Sequence, residues 1–188
     1  MTPDEEVTGR VVALLNEACV PYMVAGSLAS SHHGRPRMSQ DVDIVIDPDA
    51  GSLADFVRRL EAAGLYVDPG HATNALARRR QFNAIDPATG MKIDLIIRKE
   101  RPFSRSEFSR ARPVRLKGGT LVQLASPEDT IVAKLEWAQR AGGSERQLTD
   151  VEGIVAVQRD NLDHGHIERW AEALGVIDLW HRLLKAKS

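Results

Sequence analysis

The stretch from Val24 to Asp47, VAGSLASSHHGRPRMSQDVDIVID, constrains the fold of the chain more than any other. It contains a Gly-Ser pair, Gly26-Ser27, and, after thirteen intervening residues, an Asp-Val-Asp sequence inside an apolar, β-branched run. Such a run is typical of a β-strand, on which side chains two residues apart point to the same face, about 6.6 to 6.8 Å apart. The pattern therefore predicts that Asp41 and Asp43 lie side by side on one face of a strand.

Two carboxylates at this spacing repel each other unless a cation neutralises them, and hard oxygen ligands of this kind suit Mg²⁺ or Mn²⁺. An Asp-x-Asp pair alone is common at strand edges, so the residues upstream carry the argument. Residues 22–25 read as a short strand, Gly26 permits a tight turn, and Ser27 begins a helical segment whose N–H groups are suited to hold a phosphate. A phosphate-binding turn and a carboxylate pair are the two halves of metal-assisted phosphoryl transfer.

The order of an apolar residue, Gly-Ser, a spacer and Asp-apolar-Asp-apolar resembles the signature of the DNA polymerase β-like nucleotidyltransferase superfamily. Residues 37–43, RMSQDVD, are similar to the Arg-x-Ser/Thr-x-Asp-x-Asp form in its AbiEii-type abortive-infection toxin branch. The superfamily pattern implies a third carboxylate on a later strand, and the apolar run KIDLII, residues 92–97, carries one acidic residue, Asp94. A carboxylate among Ile and Leu side chains is costly to bury unpaired, so a metal ion or a salt bridge is expected beside Asp94.

The resemblance implies that the protein transfers a nucleoside monophosphate from an NTP to an acceptor hydroxyl, with pyrophosphate leaving. It implies a metal site of Mg²⁺ or Mn²⁺ on Asp41, Asp43 and Asp94, which are also the implied catalytic acids. Gly26 and Ser27 would hold the β- and γ-phosphates. The nucleotide-binding set implied by the resemblance is Gly26, Ser27, Arg37, Ser39 and Lys134.

A lysine and an aspartate on consecutive helices complete the implied catalytic set. In AbiEii-type proteins these two residues face the metal site, and the frames AKLEWA and RQLTDVEGI place them at Lys134 and Asp150. Lys134 would neutralise charge on the phosphates, while Asp150 would either position Lys134 or receive the acceptor proton. From the residues alone, an internal ion pair between the two side chains is an equal alternative.

The alternation of strands and helices predicts an α/β fold: a nucleotidyltransferase core with a small mixed β-sheet flanked by helices, plus a C-terminal helical lobe. The predicted domains are 1–125 and 126–188, because helices that start with capping sequences follow one another from Ser126 onward. Asp94 is predicted on the second strand of a hairpin formed by residues 81–85 and 91–97. The helical spacing of Trp137, Trp170 and Trp180 predicts core positions instead of a base-stacking platform.

Charge is unevenly distributed in a chain whose net charge is only −1. Residues 76–117 contain twelve Lys or Arg against four Asp or Glu, a balance of +8 that either suits an anionic partner or merely solvates a surface. Arg78, Arg79 and Arg80 directly precede the predicted hairpin, so an RNA backbone bound there is expected close to the metals. The resemblance also implies RNA as acceptor, specifically a tRNA 3′ end, and a cognate antitoxin as partner of a toxin-like enzyme.

Two other functions use the same residues. An aminoglycoside-modifying nucleotidyltransferase has the same metal core, but its cationic acceptor favours an acidic cleft over an arginine-rich segment. A non-catalytic nucleotide-binding or antitoxin module would usually have lost one of the acids. The sequence has no stretch of about 18 apolar residues and begins with the acidic MTPDEEVTGR, so no membrane association and a cytoplasmic location are expected.

Overall fold

The computed structural model describes residues 3–39 and 41–185, and Gln40 of the RMSQDVD motif lies outside the described residues. The helices are α1 (Pro3–Glu17), α2 (Gly26–His33), α3 (Ala50–Ala62), α4 (Pro69–Arg78), α5 (Pro102–Ser109), α6 (Pro127–Arg140), α7 (Glu145–Gln158), α8 (His164–Ala173) and α9 (Ile177–Lys185). The strands are β1 (Tyr22–Val24), β2 (Asp41–Ile46), β3 (Tyr66–Val67), β4 (Gln81–Ile85), β5 (Lys92–Ile97), β6 (Arg112–Arg115) and β7 (Leu121–Leu124). A short 3-10 turn, Arg159–Asn161, follows α7.

Within the described residues, the strands form one mixed sheet in the order β3-β4-β5-β2-β1-β7-β6. The pairs β2/β5 and β1/β7 are parallel, and the other neighbouring pairs are antiparallel. The two ends of the sheet are β3 and β6. The predicted α/β class with a mixed sheet is therefore confirmed, as is the predicted hairpin of β4 and β5.

Alternation along β2 and β5 separates a buried face from a polar one. On β2, Val42, Ile44 and Ile46 are buried, whereas Asp41 and Asp43 are exposed and half-buried on the opposite face. On β5 the side chains of Ile93, Leu95 and Ile97 are buried on the core side. Because side chains on a strand alternate between faces, Lys92 and Asp94 project from the other side of β5.

The chain falls into two compact units. The first comprises the residues up to Leu28 together with Met38–Ala125, and it contains the sheet with α1, α3, α4 and α5. The second comprises Ala29–Arg37 together with the residues from Ser126 onward, and it contains α6, α7, α8 and α9. The predicted C-terminal helices are thus present, and the domain bounds 1–125 and 126–188 stay a prediction.

The second unit has its own apolar core, in which α6 packs on α7 and α8. Trp180 is fully buried there, in agreement with its predicted core position. Trp137 is 63% exposed, so its predicted core position is wrong. The reason is that Trp137 shares an outward line of α6 with Ala133 and Arg140, at i−4 and i+3, while the rest of that helix is largely buried. Among the described helices, none is long and apolar enough to cross a bilayer.

Candidate active site

The parallel register of β2 and β5 brings the three predicted acids together. Asp43 is the register partner of Asp94, and Asp41 is the register partner of Lys92. Neighbouring strands lie about 4.7 to 4.9 Å apart, and paired residues on them point to the same face. Three carboxylates and one ammonium therefore project from the same patch of the sheet.

The turn between β1 and α2 lies against Asp43. The Ala25 N–H donates to the Asp43 carbonyl oxygen at 2.9 Å, which carries β1 up to the turn. Gly26 follows with φ of +59°, a conformation that costs other residues free energy, and a Cβ at this position would collide with the Asp43 carboxylate. Glycine is thus required here both by the backbone conformation and by the closeness of the carboxylate to the first residue of α2.

Asp94 is the most buried of the three acids, and two side chains donate to it. Lys92 Nζ lies 3.0 Å from Asp94 Oδ2 and 3.9 Å from Asp41 Oδ1. Asn83 is the register partner of Asp94 on β4. With its amide turned so that the nitrogen, and not the oxygen, faces the carboxylate, Asn83 donates to Asp94 Oδ1 at 2.6 Å. The salt bridge expected beside this carboxylate is therefore present.

The negative charge of this patch affects the pKa of Lys92. The hydrogen bond to Asp94 raises the pKa of the Lys92 ammonium, and the charges of Asp94, Asp41 and Asp43 add to this effect, outweighing partial burial. Neither Lys92 nor Asn83 was predicted as a site residue. Strand alternation alone indicates Lys92, two residues before Asp94, whereas Asn83 depends on the hairpin register.

The donor set of this patch fits a hard divalent cation in its chemistry. Three carboxylates on one face, at a turn where only glycine fits, match the oxygen ligands that Mg²⁺ and Mn²⁺ prefer. In the structure the cation beside Asp94 is the Lys92 ammonium. Within residues 3–39 and 41–185, no three or more acidic, His or Cys side chains are arranged as a metal-binding group. Metal binding by Asp41, Asp43 and Asp94 stays a prediction.

The second unit contains a buried cluster around Asp150, whose side chain is 6% exposed. Arg37 donates from Nε to Oδ1 at 2.8 Å and from Nη2 to Oδ2 at 2.9 Å. Lys134 Nζ donates to Oδ2 at 2.7 Å and to Gln147 Oε1 at 2.9 Å. The Ser30 hydroxyl also lies 3.3 Å from Oδ2. The internal ion pair between Lys134 and Asp150 is thus present, with Arg37 as a third member that the sequence did not place there.

Burial and ion pairing act in opposite directions on Asp150. Burial alone would raise the pKa of the carboxyl, but the hydrogen bonds and charges of Arg37 and Lys134 hold that pKa below its ordinary value. A carboxylate that accepts from two cations is a weak base. Both roles of Asp150, positioning Lys134 and accepting a proton, stay predictions.

Close backbone packing fixes the segment that leads to Arg37. A Cβ on Gly34 would lie 2.7 Å from the backbone nitrogen of Ile154 on α7, and Gln158 Nε2 donates to the His33 carbonyl oxygen at 2.8 Å. α7 also carries Asp150. One helix thus holds both the backbone before Arg37 and the carboxylate that the guanidinium contacts.

The two predicted serines are in different settings. Ser39 donates its hydroxyl hydrogen to the Asp41 carbonyl oxygen at 2.9 Å, and its oxygen lies 3.4 Å from the Asp41 nitrogen, so it orders the start of β2. Ser27 is the second residue of α2 and is half-buried, directly after the Gly26 turn. Of the two serines, Ser27 lies at the start of a helix and Ser39 lies at the start of a strand.

Arg78, Arg79 and Arg80 directly precede β4, whose first residue, Gln81, pairs with Ile96 near the end of β5. The Arg80 carbonyl oxygen accepts from the Ile97 N–H at 3.0 Å, and Ile97 lies three residues along β5 from Asp94, which corresponds to about 10 Å. Arg79 is ion-paired with Glu100 at 2.7 Å and lies 3.7 Å from Asp47. That an RNA backbone bound at these arginines lies close to the metals stays a prediction.

Solved structures with a similar fold have been determined. A solution structure of the antibiotic-resistance factor ANT(2'')-Ia matches with a TM-score of 0.60 and 14% identity, over 99% of this chain and 98% of that chain. A crystal structure of ANT(2'')-Ia with adenylyl-2''-tobramycin gives a TM-score of 0.62 and 15% identity, over 92% and 97%. An antigenic nucleotidyltransferase-like protein from Paracoccidioides brasiliensis gives 0.55 and 18%, over 95% and 91%.

The chain has a nucleotidyltransferase fold. At identities of 14 to 18% the likeness establishes the fold, and the predicted nucleotidyltransferase core is confirmed at that level. No protein-family model and no curated protein matches the sequence. The AbiEii-type branch of the nucleotidyltransferases therefore stays a prediction.

Proposed function

We propose that the protein is a metal-dependent nucleotidyltransferase, which transfers a nucleoside monophosphate from an NTP to an acceptor hydroxyl and releases pyrophosphate. The register of Asp43 with Asp94 beside the Gly26 turn carries this proposal. It sets a pair of carboxylates next to the N-terminus of α2, where backbone N–H groups attract phosphate. The nucleotidyltransferase fold supports the same activity.

In this proposal the residues of the acidic patch and of the Gly26 turn each have a defined role. Asp41, Asp43 and Asp94 hold Mg²⁺ or Mn²⁺, which when bound neutralises phosphate charge and lowers the pKa of the acceptor hydroxyl. Gly26 and Ser27 hold the β- and γ-phosphates, because the first N–H groups of a helix have no partner within the helix. Asn83 keeps the Asp94 carboxylate oriented through its hydrogen bond.

The cations of the second unit supply the other part of the proposal. Arg37 and Lys134 carry two positive charges against the one negative charge of Asp150, so the three together keep a net positive charge. We take from the family resemblance that Lys134 neutralises the triphosphate and that Arg37 and Ser39 contribute to nucleotide binding. Asp150 is then a positioning residue that holds both cations in place through its ion pairs.

For the acceptor we propose RNA, specifically a tRNA 3′ end, in a toxin-like enzyme with a cognate antitoxin. The +8 balance of residues 76–117 supports an anionic acceptor. Part of that charge is used internally, since Arg79 and Arg98 are both paired with Asp47 and Glu100. The remaining exposed arginines of the segment are the proposed contacts.

An aminoglycoside acceptor is the second candidate. The observation that favours it is the likeness to ANT(2'')-Ia over 99% of this chain and 98% of that one, so the two proteins have similar extents. One structure of that protein contains adenylyl-2''-tobramycin. A cationic acceptor would meet the exposed Asp41 carboxylate, whose side chain is 51% exposed.

The test is transfer of label from each NTP, radiolabelled at the α-phosphate, in the presence of Mg²⁺. Purified protein is incubated separately with a tRNA pool, a protein extract and a mixture of aminoglycosides, alongside an Asp43→Asn variant. Label on tRNA that disappears in the variant is expected. Label on aminoglycosides alone selects the second candidate, and binding of NTP without transfer to any acceptor overturns the proposal in favour of a non-catalytic module.

A further inference from the structure

We infer that Lys92 is a built-in counter-cation, which neutralises the acidic patch in the absence of metal and has to leave Asp94 when a divalent ion binds. This inference rests on the proposed function, because it concerns the same three carboxylates. It assigns a role to a residue outside the predicted site. That role is to lower the affinity of the site for the metal, because the Lys92 ammonium has to be displaced when the metal binds.

The contacts of Asp94 show why the two cations compete. Lys92 Nζ lies 3.0 Å from Oδ2, and Asn83 donates to Oδ1 at 2.6 Å, so both oxygens of this carboxylate already have protein donors. A metal ion bound through Asp94 would have to share or take over Oδ2. An ammonium and a divalent ion at neighbouring positions repel each other, because both are positive and lie within a few ångströms.

The position of Lys92 allows it to leave. Its side chain is 39% exposed, whereas that of Asp94 is 12% exposed, so the ammonium reaches the carboxylate from the solvent side. Four flexible carbons connect the charge to the strand, and an ammonium is strongly hydrated. Lys92 can therefore move from Asp94 into water, or onto an incoming anionic group, without any change in the sheet.

Two consequences follow from this exchange. Without metal, Lys92 lowers the repulsion among Asp41, Asp43 and Asp94, so the patch is stable when no divalent ion is bound. With metal, part of the binding free energy is spent on displacing Lys92, so the intrinsic affinity of the carboxylates is reduced. Removing the charge of Lys92 should then tighten metal binding.

The experiment measures Mn²⁺ binding by isothermal titration calorimetry to the wild type, Lys92→Met and Lys92→Arg. We expect Lys92→Met to bind Mn²⁺ about tenfold more tightly, equivalent to removing a repulsion of about 1.4 kcal/mol, and Lys92→Arg to stay near the wild type because it keeps the charge. Equal affinities of the wild type and Lys92→Met, or weaker binding by Lys92→Met, overturn the inference while leaving the metal site in place. Absence of Mn²⁺ binding in all three proteins overturns the metal site itself.

A second measurement uses only the wild type and so does not depend on the folding of any variant. Reductive methylation of lysines is followed by mass spectrometry with and without Mn²⁺. Modification of Lys92 should become several-fold faster when Mn²⁺ is present, while Lys117, outside the acidic patch, serves as the internal reference. A Lys92 rate that is unchanged or slower with Mn²⁺ bound overturns the inference.

Discussion

Asp43 is the residue on which the proposed chemistry depends most directly, since it pairs in register with Asp94 and touches the Gly26 turn. Asp43→Asn keeps the shape of the side chain and removes its charge. We expect transfer and Mn²⁺ binding to be lost, while the melting temperature in metal-free buffer stays the same or rises because carboxylate repulsion is relieved. The labelled-NTP assay, calorimetry and thermal unfolding check these three outcomes in turn.

The control for Asp43→Asn is Glu61→Gln, which removes one carboxylate from the exposed surface of α3. This variant should keep wild-type transfer and metal binding. Retention of activity in Asp43→Asn, or its failure to fold, would return Asp43 to the structural residues.

Asp150 is expected to matter for stability as well as for function. Asp150→Asn leaves Arg37 and Lys134 close together without the carboxylate between them, and breaking a buried ion pair typically costs about 3 to 5 kcal/mol. We expect a comparable fall in the free energy of unfolding, measured with urea at pH 7. Asp55→Asn is the matched control, because Asp55 also accepts from two arginines but at the surface, where ion pairs contribute little to stability.

The same carboxylate predicts a pH dependence. The pKa of Asp150 is lowered in the folded state, so its stabilising contribution is present above the unfolded pKa of about 3.9 and is lost as pH falls through the lower folded value. The difference in unfolding free energy between wild type and Asp150→Asn should be constant above about pH 5 and shrink in the acid range below about pH 4. A difference that grows on acidification would contradict this assignment.

At the residue scale, alternation predicted that Asp41 and Asp43 lie on one strand face. The resemblance to the superfamily implied a third acid, which the apolar run KIDLII located at Asp94. The contacts of Lys92 and Asn83 depend on which strands are neighbours, and a single-strand pattern carries no such information. The predicted core position of Trp137 was wrong for a related reason. Helical spacing shows that side chains share a line, and burial decides whether that line faces the core.

At the element scale, strand alternation, turn residues and capping sequences predicted the hairpin of β4 and β5 and the succession of helices from Ser126 onward. The order of the strands in the sheet could not be predicted from these local signals. β2 pairs with β5 across about fifty residues of chain, and Val24 of β1 pairs with Leu124 of β7, a hundred residues away. Local propensity cannot specify such pairings, which tertiary packing selects.

Gly34 predicts a test at this scale. Its added Cβ in Gly34→Ala would lie 2.7 to 3.0 Å from backbone atoms of Ile154, Gly153 and Ser30, and backbone cannot move aside as a side chain can. We expect a loss of about 1 to 3 kcal/mol in urea unfolding, as for other overpacked sites. Gly165→Ala in α8 is the control, because its Cβ meets only Asp163 at 3.5 Å and should be neutral or stabilising by up to about 1 kcal/mol. Equal effects of the two substitutions would show that the Gly34 contact is loose.

At the scale of the whole molecule, the fold is shared with proteins of 14 to 18% identity, so few side chains specify it individually. What the sequence supplies at this scale is the pattern of buried faces and the distribution of charge. The charge pattern identified a basic segment correctly in composition, but ion pairs with Asp47 and Glu100 use part of it, and composition alone cannot show which charges are paired.

The proposed RNA acceptor predicts a dependence on salt that this segment controls. Arg78 and Arg80 are exposed, whereas Arg79 is held by Glu100, so we replace Arg78 and Arg80 together with Ser. The slope of log affinity against log salt should flatten by up to about 2, one for each guanidinium that no longer neutralises a phosphate. Arg58→Ser on α3, outside the segment, is the control, and an RNA affinity independent of salt would contradict electrostatic binding by these arginines.

The two strands at the ends of the sheet have a consequence for aggregation. A strand with an unpaired edge offers N–H and C=O groups to any other chain that approaches in an extended conformation. β3 is only two residues long, and β6, with the sequence RPVR, combines a proline that lacks an N–H with two exposed arginines. Both ends are therefore poor templates for intermolecular strand addition, and like-charged β6 edges repel each other.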